Sequence, residues 1–309
     1  MKPIEGYALS QKCDYSFGDQ SGQWGNIHTS FMKPANLLNL EFVDKVFSIS
    51  KERDYMTLFI DNIRLYKRNC IECNDSDRLY VDRLMNESDL LSLCSNFPDM
   101  RFIIFTNLED TPIDEAIHNL IPDNVLLISA VNAVSNGGKV VPAPYGLQRA
   151  MHPGDDRCKV ISEMIDQSPE KNHLCYVSFN ESSHPERKGL KQLFSSFAKV
   201  DYDRVNYNTF LDTLQRSKFV ICPRGNAIDC HRNWEAIYLR TVPIMKKNDY
   251  LETLFKDYPV LFVNEWSDVT ENLLTVNDHL VMELKELPLH NLDLDRFYSH
   301  NVNYALGKE

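Results

Sequence analysis

The sequence predicts an α/β protein made of two doubly wound domains that face each other across a central cleft. Three observations carry that expectation. Apolar runs of strand length alternate with helix-spaced segments through most of the chain, as they do where a parallel sheet is covered on both faces. A polar, turn-rich stretch, Met151-His152-Pro153-Gly154-Asp155-Asp156-Arg157, interrupts the alternation near its middle and has the composition of a linker. The chain's 309 residues allow two domains of ordinary size. Sheets of this kind bind ligands beyond the carboxyl ends of their strands.

The elements follow in order. Residues 1–50 are irregular and rich in Gly, Ser, Asn and aromatics, with Phe17 to Asn26 reading as a surface loop or a pocket rim. Met56 to Ile60 is a strand, and Asp77 to Cys94 has helical spacing through Leu79, Val81, Leu84, Leu90 and Leu91. Arg101 to Thr106 is a strongly apolar strand, Asp114 to Leu120 a short helix, and Val125 to Ala130 a second buried strand. Val140 to Gly146 is expected to leave the sheet through Pro142 and Pro144. In the second half, Leu174 to Phe179 is a strand, Glu186 to Ala198 a helix, and Thr209 to Arg216 a helix feeding the strand Phe219 to Cys222. Cys230 to Leu239 is a helix, followed by strands Val242 to Met245 and Val260 to Val263, with the helix Tyr250 to Lys256 between them. From Asp268 onward the pattern is helical. The expected division is a first domain over 1–150, a second over 151–275, and helices over 276–309 that pack back on the first.

Composition excludes several function classes. The net charge is −11 and the isoelectric point about 5.3, so no domain-wide basic field exists to bind nucleic acid or an anionic membrane. No segment has the run of apolar residues that spans a bilayer. Met1 to Gly6 lacks a signal peptide's apolar run, so a cytoplasmic location is expected. The eight cysteines are then free thiols. Cys70 and Cys73 form a single C-x-x-C with no second pair to complete a four-thiolate zinc cage. No G-x-G-x-x-G of a dinucleotide-dependent dehydrogenase or epimerase is present.

The most informative stretch runs from Lys218 to Ile237. An apolar strand, Phe219 to Cys222, enters the loop Pro223-Arg224-Gly225-Asn226, and a helix follows, with Asp229 as its expected N-cap. Such a strand–loop–helix aims backbone N–H groups and a helix N-terminus at one spot, a site for a phosphate. Arg224 and Arg232 flank that spot, and guanidinium groups fork onto phosphate oxygens. Glu235 lies three residues beyond Arg232 on the same helical face, where its carboxylate can accept from both hydroxyls of a ribose. The competing reading is structural: each arginine in an ion pair with Glu235, Asp229 or Glu186, and Glu235 a partner of Arg232. Trp234, Ile237 and Tyr238 fall on the opposite face as core, and Cys222 and Cys230 read as small packing residues.

The run from Phe219 to Asn226, then Asp229 to Ile237 and Val242-Pro243-Ile244, resembles the signature of exostosin-like glycosyltransferases (family 47 type). Tyr176 to Asn180 with Pro185-Glu186-Arg187-Lys188 is similar to the segment that precedes it in that family, and Val141 to Leu147 to the exit from the acceptor domain. The resemblance covers residues 140–265 and is loose before them, chiefly at Phe105 to Asp110. Arg240 departs from the family, which more often has Gly there. The resemblance implies a GT-B fold of two Rossmann-like domains, a UDP-sugar donor, a glycan acceptor and inverting transfer. Within the family, the anchorless class of microbes and large algal viruses, some of whose members resemble xylosyltransferases, is the narrower expectation. Donor contacts are expected from Asn180, Arg187, Tyr207, Arg224, Gly225, Asn226, Asp229, His231, Arg232 and Glu235, with Ser178 and Ser182 nearby; Tyr207 or Phe210 reads equally as lying against the base and as core. His231 reads equally as a sugar contact and as a packed core residue.

GT-B enzymes generally stabilise the departing diphosphate with cationic side chains, so no cofactor or divalent metal is expected. The Asp-x-Asp pairs Asp75/Asp77, Asp201/Asp203 and Asp293/Asp295 are of a kind that arises by chance among 26 aspartates. Inversion needs a general base for the acceptor hydroxyl. Asp110, after the strand Arg101 to Thr106, is the first choice, and Asp61, Asp75, Asp77, Glu109 and His28 are rivals. Asp110 reads equally as a cap on the turn before Pro112. A non-catalytic nucleotide-sugar-binding relative and a retaining GT-B enzyme remain as alternatives. The sequence leaves the oligomeric state open.

Overall fold

The computed structural model describes residues 1–17, 40–60, 89–107, 110, 112–148 and 157–308. The expectations on residues 18–39, on the first turns of the helix Asp77 to Cys94, on Cys70 and Cys73, and on Asp61, Asp75, Asp77, Glu109 and His28 lie outside these described residues. Two parallel five-stranded sheets organise the chain, one in each of two compact units.

The first unit takes Ile4–Ala143 and the chain from Leu294 onward. Its strands are β1 (Tyr15–Ser16), β2 (Tyr55–Ile60), β3 (Arg101–Thr106), β4 (Val125–Ala130) and β5 (Val140–Pro142). β2, β3 and β4 are continuous apolar runs because both faces are covered. Phe59, Ile103, Phe105 and Leu127 pack on one face with Leu9 and with Leu294 and Val302 of the helix Leu294–Ala305. Ile60, Phe102 and Ile104 alternate to the other face and are also fully buried. The Phe105 ring stacks on Tyr298 at 5.3 Å.

Three expectations change here. β5 stays in the sheet, pairing Ile128 with Val140 and Ala130 with Pro142. It is an edge strand, where a proline's missing N–H breaks no ladder. The strand order is β1-β2-β3-β4-β5, all parallel. Among the described strands each crossover steps to the next position in one direction, without the reversal of order that a doubly wound sheet has. Strand order is decided by pairing between distant segments, on which apolar periodicity is silent. The short helix after β3 is a 3-10 turn, Glu115–Asn119, capped by the Asp114 carboxylate.

The second unit takes 157–293 with Pro144–Gln148 and Met1–Pro3. Its strands are β6 (His173–Val177), β7 (Lys199–Val200), β8 (Ser217–Ile221), β9 (Val242–Lys246) and β10 (Leu261–Val263), in the order β10-β9-β8-β6-β7. All are parallel. After β7 the chain crosses to the far side of β6, so β6 and β8 are neighbours from which the sheet grows both ways. That is the doubly wound arrangement, and its crevice lies beyond the carboxyl ends of β6 and β8. The helix Tyr207–Gln215 starts at Asn206, whose side chain accepts from Thr209 N–H, and feeds β8.

The helix expected over Glu186 to Ala198 is broken. A 3-10 turn, Pro185–Arg187, is capped by His184, and Gly189 then adopts φ +80° before a short helix, Leu190–Leu193. A left-handed residue ends one helical segment before the next begins, and glycine takes that conformation without the clash a Cβ brings. The helix after β8 runs His231–Tyr238, and its N-cap is Cys230, not Asp229. At its far end Arg240 has φ +60°. Arg240 N–H bonds Ile237 O and Thr241 N–H bonds Ala236 O, the paired bonds of a Schellman motif with arginine in the position glycine usually holds.

Candidate functional site

The site is built on the nine residues between β8 and the helix His231–Tyr238, with the segment that follows β6. Asp229 anchors it. Its side chain is fully buried. One carboxylate oxygen accepts from Tyr145 N–H at 2.9 Å and Trp234 Nε1–H at 2.6 Å, the other from Asn233 Nδ2–H at 2.9 Å. Burial pushes the carboxyl up to about 6, against the pull of these donors. Asp229 thus ties the loop to the segment Pro144–Gln148 and to the helix, and its oxygens are turned to the protein instead of a ligand. With Asp229 spent this way, no side chain caps the helix; Asn233 N–H bonds Cys230 O at 3.0 Å, and the His231 and Arg232 N–H groups ahead of it face the helix N-terminus.

Arg187 organises the loop from the other side. It is buried, and its guanidinium donates to three backbone carbonyls: Arg224 O at 2.7 Å, Pro223 O at 3.0 Å and Asn180 O at 3.3 Å. The structural alternative for this residue was an ion pair; what the geometry gives is a brace between the end of β6 and the loop after β8. Gly225 fits beneath it: a Cβ there would stand 3.1 Å from Arg187 Nη2. Gly225 N–H points inward, to Ala227 O and Cys230 Sγ, both at 3.1 Å. Cys222 and Cys230 have thiols raised by burial, as expected of packing residues.

Arg232 is placed differently. Its Nε is buried with no hydrogen-bond partner among the described residues. Its guanidinium carbon lies 5.7 Å from the Phe179 ring centroid and 5.9 Å from that of Phe210, and Arg187 stands over the same Phe179 ring at 5.6 Å. A guanidinium held on aromatic faces at a helix N-terminus, with a buried N–H unmet, is disposed to take an anion. Arg224 is half-exposed and donates to Asn226 O at 3.0 Å, within its own loop, while Asn226 is exposed.

Glu235, one turn into the helix, is buried. Burial raises its carboxyl, partly offset by Arg232, by the Tyr207 hydroxyl and by Arg157. Tyr207 O–H donates to Oε1 at 2.9 Å, and the Arg157 guanidinium sits 4.2 Å from the Tyr207 ring centroid. Arg157 also donates to Gln148 Oε1. His231 accepts no proton near neutrality: burial holds it down to about 4. Its Nδ1–H donates to Gly146 O at 2.9 Å, and its ring lies 4.3 Å from that of Tyr145. Asn180 is exposed, and its side chain caps the 3-10 turn Glu181–Ser183 through Ser182.

Among the expected donor residues, the structure gathers Arg187, Tyr207, Arg224, Gly225, Asn226, Asp229, His231, Arg232 and Glu235 around one loop and one helix, with Asn180 at its margin. Asp229 and Arg187 serve the loop itself. Tyr207 meets Glu235 through its hydroxyl. Three residues were missed as parts of the site: Arg157, Tyr145 and Gln148. Arg157 sits in what reads as a linker, and nothing in its sequence neighbourhood pairs it with Tyr207. Asp110 belongs to the first unit and is half-buried after β3. Three of the Asp-x-Asp aspartates in the described residues have protein partners: Asp201 accepts from the Tyr176 hydroxyl, Asp293 from Lys2 N–H, and Asp295 pairs with Lys12. No described helix is long and apolar enough to cross a membrane.

No protein-family model matches the chain, and no curated protein matches it in sequence. The resemblance to exostosin-like enzymes therefore rests on the residues that carry it. Among solved structures, the chain is similar to an α1,3-fucosyltransferase at 11% identity, with 88% of each chain covered and a TM-score of 0.40.

Proposed function

We propose that the second unit binds the diphosphate of a nucleotide-sugar and that the chain is a glycosyltransferase. The observation that carries the reading is the buried Nε of Arg232, without a hydrogen-bond partner among the described residues, beside a helix N-terminus with no side-chain cap, beyond the ends of β6 and β8. In a doubly wound sheet that is where a nucleotide's phosphates lie. Arg232 and Arg224 would offset the charge that grows on the diphosphate as the glycosidic bond breaks. Arg187 would act through the loop it braces. Glu235 would accept from the ribose hydroxyls.

The finer reading follows the sequence resemblance: an inverting, metal-independent transferase of exostosin type that uses a UDP-sugar, with xylose first, and a glycan hydroxyl as acceptor. Asp110 is its proposed base. The test is a thermal-shift screen of UDP, GDP and their sugars with and without EDTA. A ligand of the folded state raises the midpoint by mass action. UDP and one UDP-sugar should raise it by several degrees regardless of EDTA. A response confined to GDP-sugars, or abolished by EDTA, overturns the finer reading; no response to any nucleotide overturns the whole.

A further inference from the structure

Glu235 is a buried carboxylate with two arginines near it, yet its one hydrogen bond among the described residues comes from Tyr207. Tyr207 is itself fixed. It begins the helix Tyr207–Gln215 directly after the Asn206 cap, its ring stacks on Phe210 at 6.2 Å between centroids, and Arg157 covers it. Burial and the neighbouring Glu235 raise the Tyr207 phenol, so it stays a proton donor. One Glu235 oxygen is thereby occupied and the other, Oε2, is left to accept.

We propose that Tyr207 is a positioning residue for nucleotide recognition: its hydroxyl holds Oε1 of Glu235 so that Oε2 accepts from the ribose hydroxyls of a nucleoside diphosphate. This rests on the donor-site reading above and adds to it the residue that makes Glu235 selective. The groups facing Glu235 are Arg232 on its own helix, Arg157 and Tyr207 on two others, and the Cys222 thiol at the end of β8. Removing the Tyr207 hydroxyl takes away a donor that favours the ionised carboxylate, so Glu235 would gain its proton at higher pH.

The experiment uses the full chain with UDP and 2′,3′-dideoxy-UDP as probes, titrated calorimetrically between pH 5 and 9. Tyr207→Phe keeps the ring under Arg157 and deletes only the hydroxyl. Wild type should prefer UDP by ~10-fold, about the worth of one hydrogen bond to a charged acceptor. Tyr207→Phe should cut that preference to roughly 3-fold at neutral pH and lose it at a higher pH than wild type on acidification. Arg157→Lys, which loosens the ring without touching the hydroxyl, should move both readouts the same way by less. An unchanged preference and pH profile in both variants would reduce Tyr207 to packing and overturn the proposal. Equal binding of both probes by wild type, with UDP still weakened by Arg232→Ala, would overturn it and leave the phosphate site standing. Absence of UDP binding would overturn both.

Discussion

Asp229 and His231 stand two residues apart, and burial moves them in opposite directions. Asp229, raised from an ordinary 3.8 to about 6, takes up a proton more readily folded than unfolded. Its contribution to stability is fully present below about 4 and is lost as pH rises through about 6. His231, lowered from 6.5 to about 4, is kept neutral by the fold; its contribution is present above 6.5 and lost as pH falls toward 4. Asp229→Ala leaves the Tyr145 N–H, the Trp234 N–H and the Asn233 amide without their acceptor, so it should cost about 3 kcal/mol or more. The difference from wild type in urea unfolding should be larger at pH 4.5 than at pH 7. The sequence placed Asp229 at the right spot with the wrong partner. Side-chain donors four and five residues on, and a backbone donor far upstream at Tyr145, outcompeted the capping bond that local spacing suggests. The place of Arg232 in the first turn of the helix was legible from the strand–loop–helix pattern; the contacts of Arg187 were not, because what it touches is backbone carbonyl, which carries no sequence signal.

At the scale of elements, strands were read closely and helices less so. β2, β3 and β4 appear where continuous apolar runs predict them, since burial on both faces leaves a plain pattern. The segment after β6 was misjudged because its helical spacing conceals the left-handed Gly189 that divides it. Arg240 shows the converse. It occupies a position where glycine is cheaper, and a left-handed arginine costs about 1 kcal/mol. Its guanidinium donates to Leu284 O at 2.8 Å and Leu287 O at 2.5 Å, satisfying carbonyls at the end of the helix His279–Glu286, and those bonds offset the strain. Arg240→Ala, which keeps the strain and drops both bonds, should destabilise the chain by about 2 kcal/mol. Arg240→Gly should lose about half as much, because the strain is relieved. Equilibrium unfolding of the two variants measures the gap between them.

At the scale of the whole molecule, the two sheets differ in a way that bears on function. Among the described strands the second sheet reverses its order and the first does not, and the site sits at that reversal. The expectation of two doubly wound domains read the alternation of strands and helices correctly, but alternation does not encode which strand lies beside which. The donor reading is thus concentrated in one unit and the proposed base, Asp110, in the other. Asp110→Asn should abolish sugar transfer while leaving UDP affinity within ~2-fold of wild type, because a base acts on the acceptor's proton and not on the donor's phosphates. Transfer at the wild-type rate by that variant would exclude Asp110.

The claim beneath all of this is that the loop after β8 and the helix His231–Tyr238 receive a diphosphate. A crystal structure of the full chain with UDP tests it most directly. The account predicts phosphate oxygens at the helix N-terminus, within hydrogen-bond reach of the Arg232 guanidinium. UDP bound away from Arg232, with its Nε still unmet, would contradict it.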